Sequence, residues 1–188
     1  LGAVPGRAAE CADGFARALE QAVALDAPLI HFLAGYPPAG ADPAAIDDLF
    51  LENMTRAADL AAGAGVAITL EPLNRRDRSG YHLATVDHAL RLIALTGRPN
   101  IRLQLDLYHC QITEGDITRL IERALPAIGH VQIAGVPDRA EPSGGELAYE
   151  RVLGRLDALG YRGRIGCEYV PAAGTLEGLG WAAPWLAA

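Results

Sequence analysis

The chain has 188 residues, of which 51% are apolar and 21% are charged, a balance typical of one globular domain with a full hydrophobic core. The formal net charge of −7 argues against a nucleic-acid partner, because such proteins need a basic surface. No apolar run approaches the roughly 20 residues of a membrane-spanning helix, which argues against a membrane partner. With no signal-peptide pattern and three widely separated cysteines, we expect a cytoplasmic protein with reduced thiols.

Helical and strand patterns alternate along the chain. Apolar residues at helical spacing, broken by glycine or proline, predict helices, and short β-branched runs predict strands. Asp42, just before Pro43, and Thr85 are residues that typically cap helix starts. In chain order we expect a helix over 6–26, a strand over 29–35, a helix over 42–62, a strand over 66–71, a helix over 85–97, a strand over 101–106, a helix over 115–126, a strand over 129–134, a helix over 146–160, a strand over 164–169, and a tail over 171–188 that forms a loop and a short helix.

This alternation predicts a parallel sheet, either doubly wound or arranged as a (β/α)8 TIM barrel. A dinucleotide-binding sheet should carry Gly-x-Gly-x-x-Gly just after a strand. The nearest match, Gly63-Ala64-Gly65, precedes a strand and has the position of a helix end. Polar residues at several strand ends favour the barrel. Since five strand–helix units cannot close eight strands, we expect residues 1–188 to form a single barrel domain that lacks the first strands.

Four of the predicted strands end in an oxygen-bearing side chain. A single strand-end acid is usually a helix cap or a salt-bridge partner, but four such positions together indicate a site at the carboxyl edge of the sheet. Converging carboxylates repel one another unless a cation joins them, and oxygen ligands suit Mg²⁺ or Mn²⁺. We therefore predict a divalent-metal site from Glu71, Asp106, Gln132 and Glu168.

Such a site has a definite chemistry. A metal bound by these residues would polarise a carbonyl and its neighbouring hydroxyl and would stabilise an enediolate. Two carboxylates on opposite sides of the substrate can then move a proton between adjacent carbons. The expected partner is therefore a small hydroxy-keto acid or sugar.

Several polar residues lie near these strand ends. His109 follows Asp106 by three positions and is placed to orient substrate oxygen, and His130 shares a strand face with Gln132 or else lies hydrogen-bonded in the core. His31 reads as a hydrogen-bonded core histidine. The arginines of the loop 75–78 either clamp an anionic substrate or remain solvated.

Six segments together resemble the hydroxypyruvate isomerase family, which belongs to the xylose isomerase-like (β/α)8 barrels alongside sugar epimerases and endonuclease IV. The resemblance spans nearly the whole chain. Its segments are Leu70-Glu-Pro-Leu-Asn74, Leu103-Gln-Leu-Asp-Leu-Tyr-His109, Gly129-His-Val-Gln-Ile-Ala134, Glu141-Pro-Ser-Gly-Gly-Glu146, Gly166-Cys-Glu-Tyr169 and Gly178-Leu-Gly-Trp181.

The resemblance implies an aldose–ketose-type isomerase that interconverts hydroxypyruvate and 2-hydroxy-3-oxopropanoate (tartronate semialdehyde) by proton transfer. It implies that Glu71 and Glu168 are the catalytic pair and also bind the metal. Asp106 and Gln132 match the remaining ligands.

The same resemblance implies three substrate contacts, from His109, Arg139 and His130. His130 and Gln132 stand where related epimerases carry His-x-His. The alternatives within the superfamily are a 2-oxo-tetronate isomerase and a ketose 3-epimerase. The remote alternatives are endonuclease IV-like DNA repair and a non-catalytic fragment. The oligomeric state, including a homo-oligomer, stays open.

Overall fold

A computed structural model describes residues 1–186 of the chain. Within these residues, seven α-helices and five strands follow the order that the sequence predicts, with one additional helix after the third strand. The helices are α1 (Ala8–Ala24), α2 (Pro43–Ala62), α3 (Val86–Thr96), α4 (Leu107–Thr113), α5 (Ile117–Ala124), α6 (Tyr149–Ala158) and α7 (Ala183–Leu186). The strands are β1 (Leu29–His31), β2 (Ala67–Leu70), β3 (Ile101–Asp106), β4 (Ile128–Ile133) and β5 (Ile165–Cys167). Two 3-10 helices cover Leu125–Ala127 and Glu177–Ala182.

The five strands form one parallel sheet in the order β1-β2-β3-β4-β5. Each strand is added beside its predecessor, so this order has no switch point of the kind that defines a doubly wound sheet. It is the order of consecutive strands in a (β/α)8 barrel. All five carboxyl ends therefore lie along one edge, as the sequence predicts.

Alternation along each strand separates the two faces of the sheet. One face carries apolar side chains that pack under the helices, among them Ile68, Leu70, Leu103, Leu105, Val131 and Ile133, each of them buried. The opposite face carries the polar residues of the same strands, among them Thr69, Glu71, Gln104, Asp106, His130 and Gln132. The hydrophobic core thus lies between the sheet and the helices, and the polar face of the sheet is available for a site.

The two predicted helix-capping residues are confirmed. Asp42 Oδ1 accepts a hydrogen bond from the Ala44 amide at 3.2 Å, and Thr85 Oγ1 accepts one from the His88 amide at 3.2 Å. Gly97 ends α3 with φ of 62°, a left-handed conformation that glycine adopts without strain.

Several predicted boundaries are wrong. β1 stops at His31 because the backbone beyond it turns to pair with the first residues, and the Gly2 and Ala3 amides bond to carbonyls of residues 33 and 34. The helix predicted over 146–160 begins only at Tyr149, since the Glu146 amide bonds to the Val136 carbonyl, ten positions earlier. β5 covers three residues, although the Glu168 amide still bonds to the Ile133 carbonyl.

The three cysteines are free, as expected, with Cys11 and Cys110 buried and Cys167 exposed. The predicted loop and short helix of the tail are confirmed as far as residue 186, and Trp181 Nε1 donates to the Tyr169 hydroxyl at 3.1 Å. Among residues 1–186, no helix combines the length and apolarity that crossing a bilayer requires.

Candidate active site

Two buried carboxylates lie side by side at the carboxyl edge of the sheet. Glu71 directly follows β2 and is 5% exposed, and Asp106 ends β3 and is 1% exposed. Each offers an oxygen that lies within 4.8 Å of the other and of a ring nitrogen of His109. The strand ends therefore bring these three predicted site residues into one cluster.

Arg139 connects Asp106 to Glu168, which directly follows β5. Its Nη2 lies 3.1 Å from Glu168 Oε2 and 3.7 Å from Asp106 Oδ2. Its guanidinium carbon lies 5.0 Å from the centre of the Tyr108 ring, a cation–π geometry. The backbone of Arg139 has φ of 55°, an uncommon conformation for a residue with a side chain. The loop after β4 thus holds this cation between two of the predicted ligands.

Gln132 joins the cluster through a residue that the sequence reasoning missed. Gln104 Nε2 donates to Gln132 Oε1 at 2.6 Å and to Glu71 Oε2 at 3.1 Å, and Thr69 Oγ1 donates to Gln104 Oε1 at 3.0 Å. The sequence does contain a signal for this residue, because Gln104 precedes Asp106 by two positions and must share its strand face.

Burial raises the pKa values of both central carboxylates. Burial, reinforced by the charges of Asp106 and Glu168, raises the pKa of Glu71 to about 8. Burial also raises the pKa of Asp106 to about 6, although the Tyr108 amide and the Arg139 charge oppose that shift. Like charges brought together out of water disfavour ionisation in this way.

The donor set fits a divalent cation. Glu71 Oε1 and Asp106 Oδ2 are buried and lack a hydrogen-bond partner within residues 1–186, and buried polar atoms are normally paired. A hard cation between them would give both oxygens a partner and would remove the repulsion that raises their pKa values. Glu71, Asp106, Glu168 and Gln132 are the residues that would hold it.

His109 is held neutral with a defined orientation. Its Nδ1 accepts a hydrogen bond from the Asn74 amide at 3.1 Å, which leaves the ring proton on Nε2, 3.9 Å from Asp106 Oδ2. Burial, helped by the Arg139 charge, lowers the pKa of His109 to about 4. His109 therefore presents a donor toward the cluster, as a substrate contact requires.

The other two strand histidines occupy different positions. The His31 expectation is wrong, because its Nε2 has no hydrogen-bond partner in the described part of the chain and lies 3.5 Å from Glu71 Oε2. Burial lowers the pKa of His31 to about 4. His130 pairs with Gln104 in register and lies two residues before Gln132. Because its register partner Gln104 precedes Asp106 by two residues, His130 lies one layer deeper in the sheet face than Asp106.

The charged loop after β2 is more ordered than the sequence suggested. Arg76 Nη2 donates to the Tyr108 hydroxyl at 3.0 Å and to the Pro137 carbonyl at 2.9 Å, and that hydroxyl donates to Asp77 Oδ2 at 2.6 Å. The Arg76 side chain is 45% exposed, but these two acceptors fix its guanidinium. It ties the β2–α3 loop to α4 and to the loop that carries Arg139.

Comparisons with known proteins identify the fold family. A sequence profile described as xylose isomerase-like TIM barrel matches residues 1–185. The 2-oxo-tetronate isomerase of Cupriavidus necator is 47% identical over 99% of this chain and 72% of its own length. The hydroxypyruvate isomerase of Escherichia coli is 37% identical over 98% of this chain and 72% of its own length. A crystal structure described as AP endonuclease, family 2, from Brucella melitensis matches with a TM-score of 0.95 and 45% identity, over 98% of this chain and 71% of that one.

Proposed function

The chain belongs to the xylose isomerase-like TIM-barrel family, and from that premise we propose that it is an isomerase of short 2-oxo acids. The reaction is the interconversion of hydroxypyruvate and 2-hydroxy-3-oxopropanoate. It moves one hydrogen between adjacent carbons with the assistance of a divalent metal, Mg²⁺ or Mn²⁺. The names of the two isomerase relatives support this class of reaction.

One observation carries the proposal. Glu71 and Asp106 are buried acids at neighbouring strand ends with an unpartnered oxygen each, and Glu168 lies close enough to raise the pKa of Glu71. Packing alone does not explain three acids at one sheet edge, because burying unpaired carboxyl oxygens costs free energy. A proton-transfer site gains from that arrangement, since it needs acids whose pKa values lie near neutral pH.

The proposed proton transfer uses the two glutamates. One removes a proton from C3 of hydroxypyruvate, and the electron pair of that C–H bond forms the double bond of an enediolate. The other delivers a proton to C2. The proton of the C3 hydroxyl passes to the C2 oxygen, so that an aldehyde and a new hydroxyl result and no redox partner is needed.

A metal held by Glu71, Asp106, Gln132 and Glu168 would supply charge stabilisation for the substrate oxygens. The remaining roles fall to the chain's own residues. His109 donates its Nε2 proton to a substrate oxygen, and Arg139 binds the substrate carboxylate. His130 is proposed as a further substrate contact from the deeper layer of the sheet face.

The alternative within the same family is a four-carbon substrate, because the relative at 47% identity is named 2-oxo-tetronate isomerase. A ketose 3-epimerase would use the same proton transfer on a longer sugar. DNA repair fits poorly, since the net charge is −7 and only five histidines are present. Endonuclease chemistry of this kind needs a histidine-rich multi-metal site and a basic face.

Proton NMR in D₂O tests the proposal. Hydroxypyruvate and 2-oxo-tetronate are incubated separately with the chain, first with Mg²⁺ and then with a chelator. Metal-dependent exchange of the C3 protons together with product formation is the expected result. The faster substrate identifies the natural chain length, and exchange with neither substrate contradicts the proposal.

Variants assign the roles. Glu71→Gln and Glu168→Gln should each lower kcat by about 10²- to 10⁴-fold, the usual contribution of a general acid or base. Asp48→Asn, an exposed acid on α2, is the matched control and should behave as the parent chain. Full turnover by either glutamine variant would remove that glutamate from the mechanism.

A further inference from the structure

A second cluster of metal-type ligands lies outside the strand-end site. Asp47 comes from the first turns of α2, His82 from the loop before α3, and His88 from the first turn of α3. One carboxylate oxygen and one ring nitrogen from each histidine lie within 4.8 Å of one another. We propose that these three residues bind a divalent transition-metal ion, Zn²⁺ foremost.

The ligand atoms converge on one point. His82 Nε2 lies 2.9 Å and His88 Nε2 lies 2.8 Å from the same atom, Asp47 Oδ1. Two imidazole nitrogens and one carboxylate oxygen form a three-ligand set that zinc commonly takes when its fourth position stays open. The strand-end site is richer in oxygen, so the two sites should select different ions, with Zn²⁺ favoured at the histidines and Mg²⁺ at the carboxylates.

The surroundings hold these side chains in place. The side chains of His82, Asp47 and His88 are 8%, 14% and 20% exposed. The His82 ring packs edge-on against both Phe50 and His88, with ring centres 5.9 Å and 5.2 Å away. The His82 amide also donates to the Gly35 carbonyl at 3.0 Å. Three ligands that are ordered before binding lose little conformational entropy when the ion arrives.

Arg91 orients the carboxylate from outside the cluster. Its Nη2 lies 2.5 Å from Asp47 Oδ2, so that the other oxygen, Oδ1, faces the histidines. An outer hydrogen bond of this kind fixes a ligating carboxylate and is a regular feature of protein metal sites.

A cavity adjoins the cluster and provides room for a fourth ligand. It has a volume of about 730 Å³, and its lining includes all three proposed ligands together with Arg75 and Arg91. Water or a small anion could therefore complete the coordination. The cavity lies beside α2 and α3 and includes none of Glu71, Asp106 and Glu168.

The competing explanation is that both histidines only donate hydrogen bonds to Asp47 and thereby stabilise the packing of α2 against α3. The two explanations differ in metal binding. The chain is stripped with a chelator, dialysed against Zn²⁺, and its bound metal is measured by mass spectrometry. We expect His88→Gln and Asp47→Asn each to bind one equivalent of Zn²⁺ less than the parent chain.

Cobalt spectroscopy separates this site from the carboxylate site. Co²⁺ held by two imidazoles in a four-coordinate site absorbs strongly in the visible region, whereas six-coordinate oxygen sites absorb weakly. The strong band should appear in the parent chain and in the control Asp48→Asn, and it should be lost in His88→Gln and Asp47→Asn. His88→Gln keeps a hydrogen-bond donor for Asp47, and circular dichroism verifies that it is folded. Equal zinc content and equal spectra in all four chains would overturn the proposal and leave the function proposed above untouched.

Discussion

At the scale of single residues, the most informative side chain is one that carries no charge. Gln104 divides its two amide protons between Glu71 and Gln132, and its oxygen accepts from Thr69. It is 6% exposed, so no bulk water replaces these partners. Gln104 therefore positions two of the proposed metal ligands without being one of them.

Replacing Gln104 by leucine should weaken Mn²⁺ binding by about 10- to 100-fold, the usual cost of losing an outer-shell partner. It should also lower the free energy of unfolding by about 1–3 kcal/mol, because the Thr69 hydroxyl and the Gln132 oxygen lose their partner. Calorimetric titration with Mn²⁺ and urea unfolding measure the two effects.

Thr69→Val is the matched control, since it removes only the hydrogen bond to the Gln104 oxygen. It should lower stability less than Gln104→Leu and leave Mn²⁺ affinity nearly unchanged. Equal metal affinity in Gln104→Leu and the parent chain would show that the glutamine does not position the ligands.

At the scale of secondary-structure elements, the β2–α3 loop connects several parts of the site. Asn74 is fully buried, and its Oδ1 accepts from the Asp77 amide at 2.9 Å. Its backbone amide donates to His109 Nδ1 at 3.1 Å, and its side-chain Nδ2 lies 2.7 Å from the same nitrogen. The loop thereby fixes the ring of a residue that belongs to α4. A loop that is rigid at this point can hold the His109 proton toward Asp106.

Asn74→Leu should lower the free energy of unfolding by about 1–3 kcal/mol, because it leaves the Asp77 amide without its acceptor. It should also lower kcat for hydroxypyruvate more than it raises KM, since His109 Nδ1 would lose its contact with the Asn74 side chain and keep only the backbone amide donor. Urea unfolding and steady-state kinetics measure both. Arg75→Ala, an exposed change in the same loop, should alter stability by less than about 0.5 kcal/mol. A variant with parental kinetics would show that the loop does not orient His109.

The elements also show which features the sequence could predict. Five strands, their parallel order and the acids at their ends follow from local patterns, because strand burial has a period of two and helix ends carry capping residues. The seven-residue helix α4 (Leu107–Thr113) was missed, since it begins directly after β3 and is too short to show a helical period.

Contacts between distant parts of the chain could not be predicted in the same way. Arg76 reaches the Pro137 carbonyl, 61 positions away, and His88 reaches Asp47, 41 positions away. Such pairs depend on how loops and helices pack against the sheet, which no periodicity encodes. His31 was missed as a neighbour of Glu71 because a histidine within a strand pattern resembles a core residue equally well.

At the scale of the whole molecule, the buried acids of the site make the free energy of unfolding depend on pH. Below about pH 4.5, Glu71 is protonated in both the folded and the unfolded chain and contributes nothing. As pH rises, the unfolded chain loses this proton first, because burial and the neighbouring charges raise the folded pKa of Glu71 to about 8. The folded state then binds more protons than the unfolded state, so stability falls with rising pH.

In the presence of a chelator, the free energy of unfolding should therefore decline between about pH 5 and pH 8, and Glu71→Gln should reduce the decline. One pKa unit corresponds to about 1.4 kcal/mol, so the difference between the parent chain and the variant should grow by at least about 2 kcal/mol across this range. Urea titrations at each pH measure it. Asp48→Asn should follow the parent chain, because its carboxyl is exposed.

Mg²⁺ should flatten the decline in the parent chain, since an ion bound only to the folded state stabilises it in proportion to RT ln(1 + [Mg²⁺]/Kd). If the free energy of unfolding depends on pH in the same way in the parent chain and in Glu71→Gln, Glu71 ionises normally in the folded state. The burial of Glu71 and Asp106 would then no longer indicate a cation site.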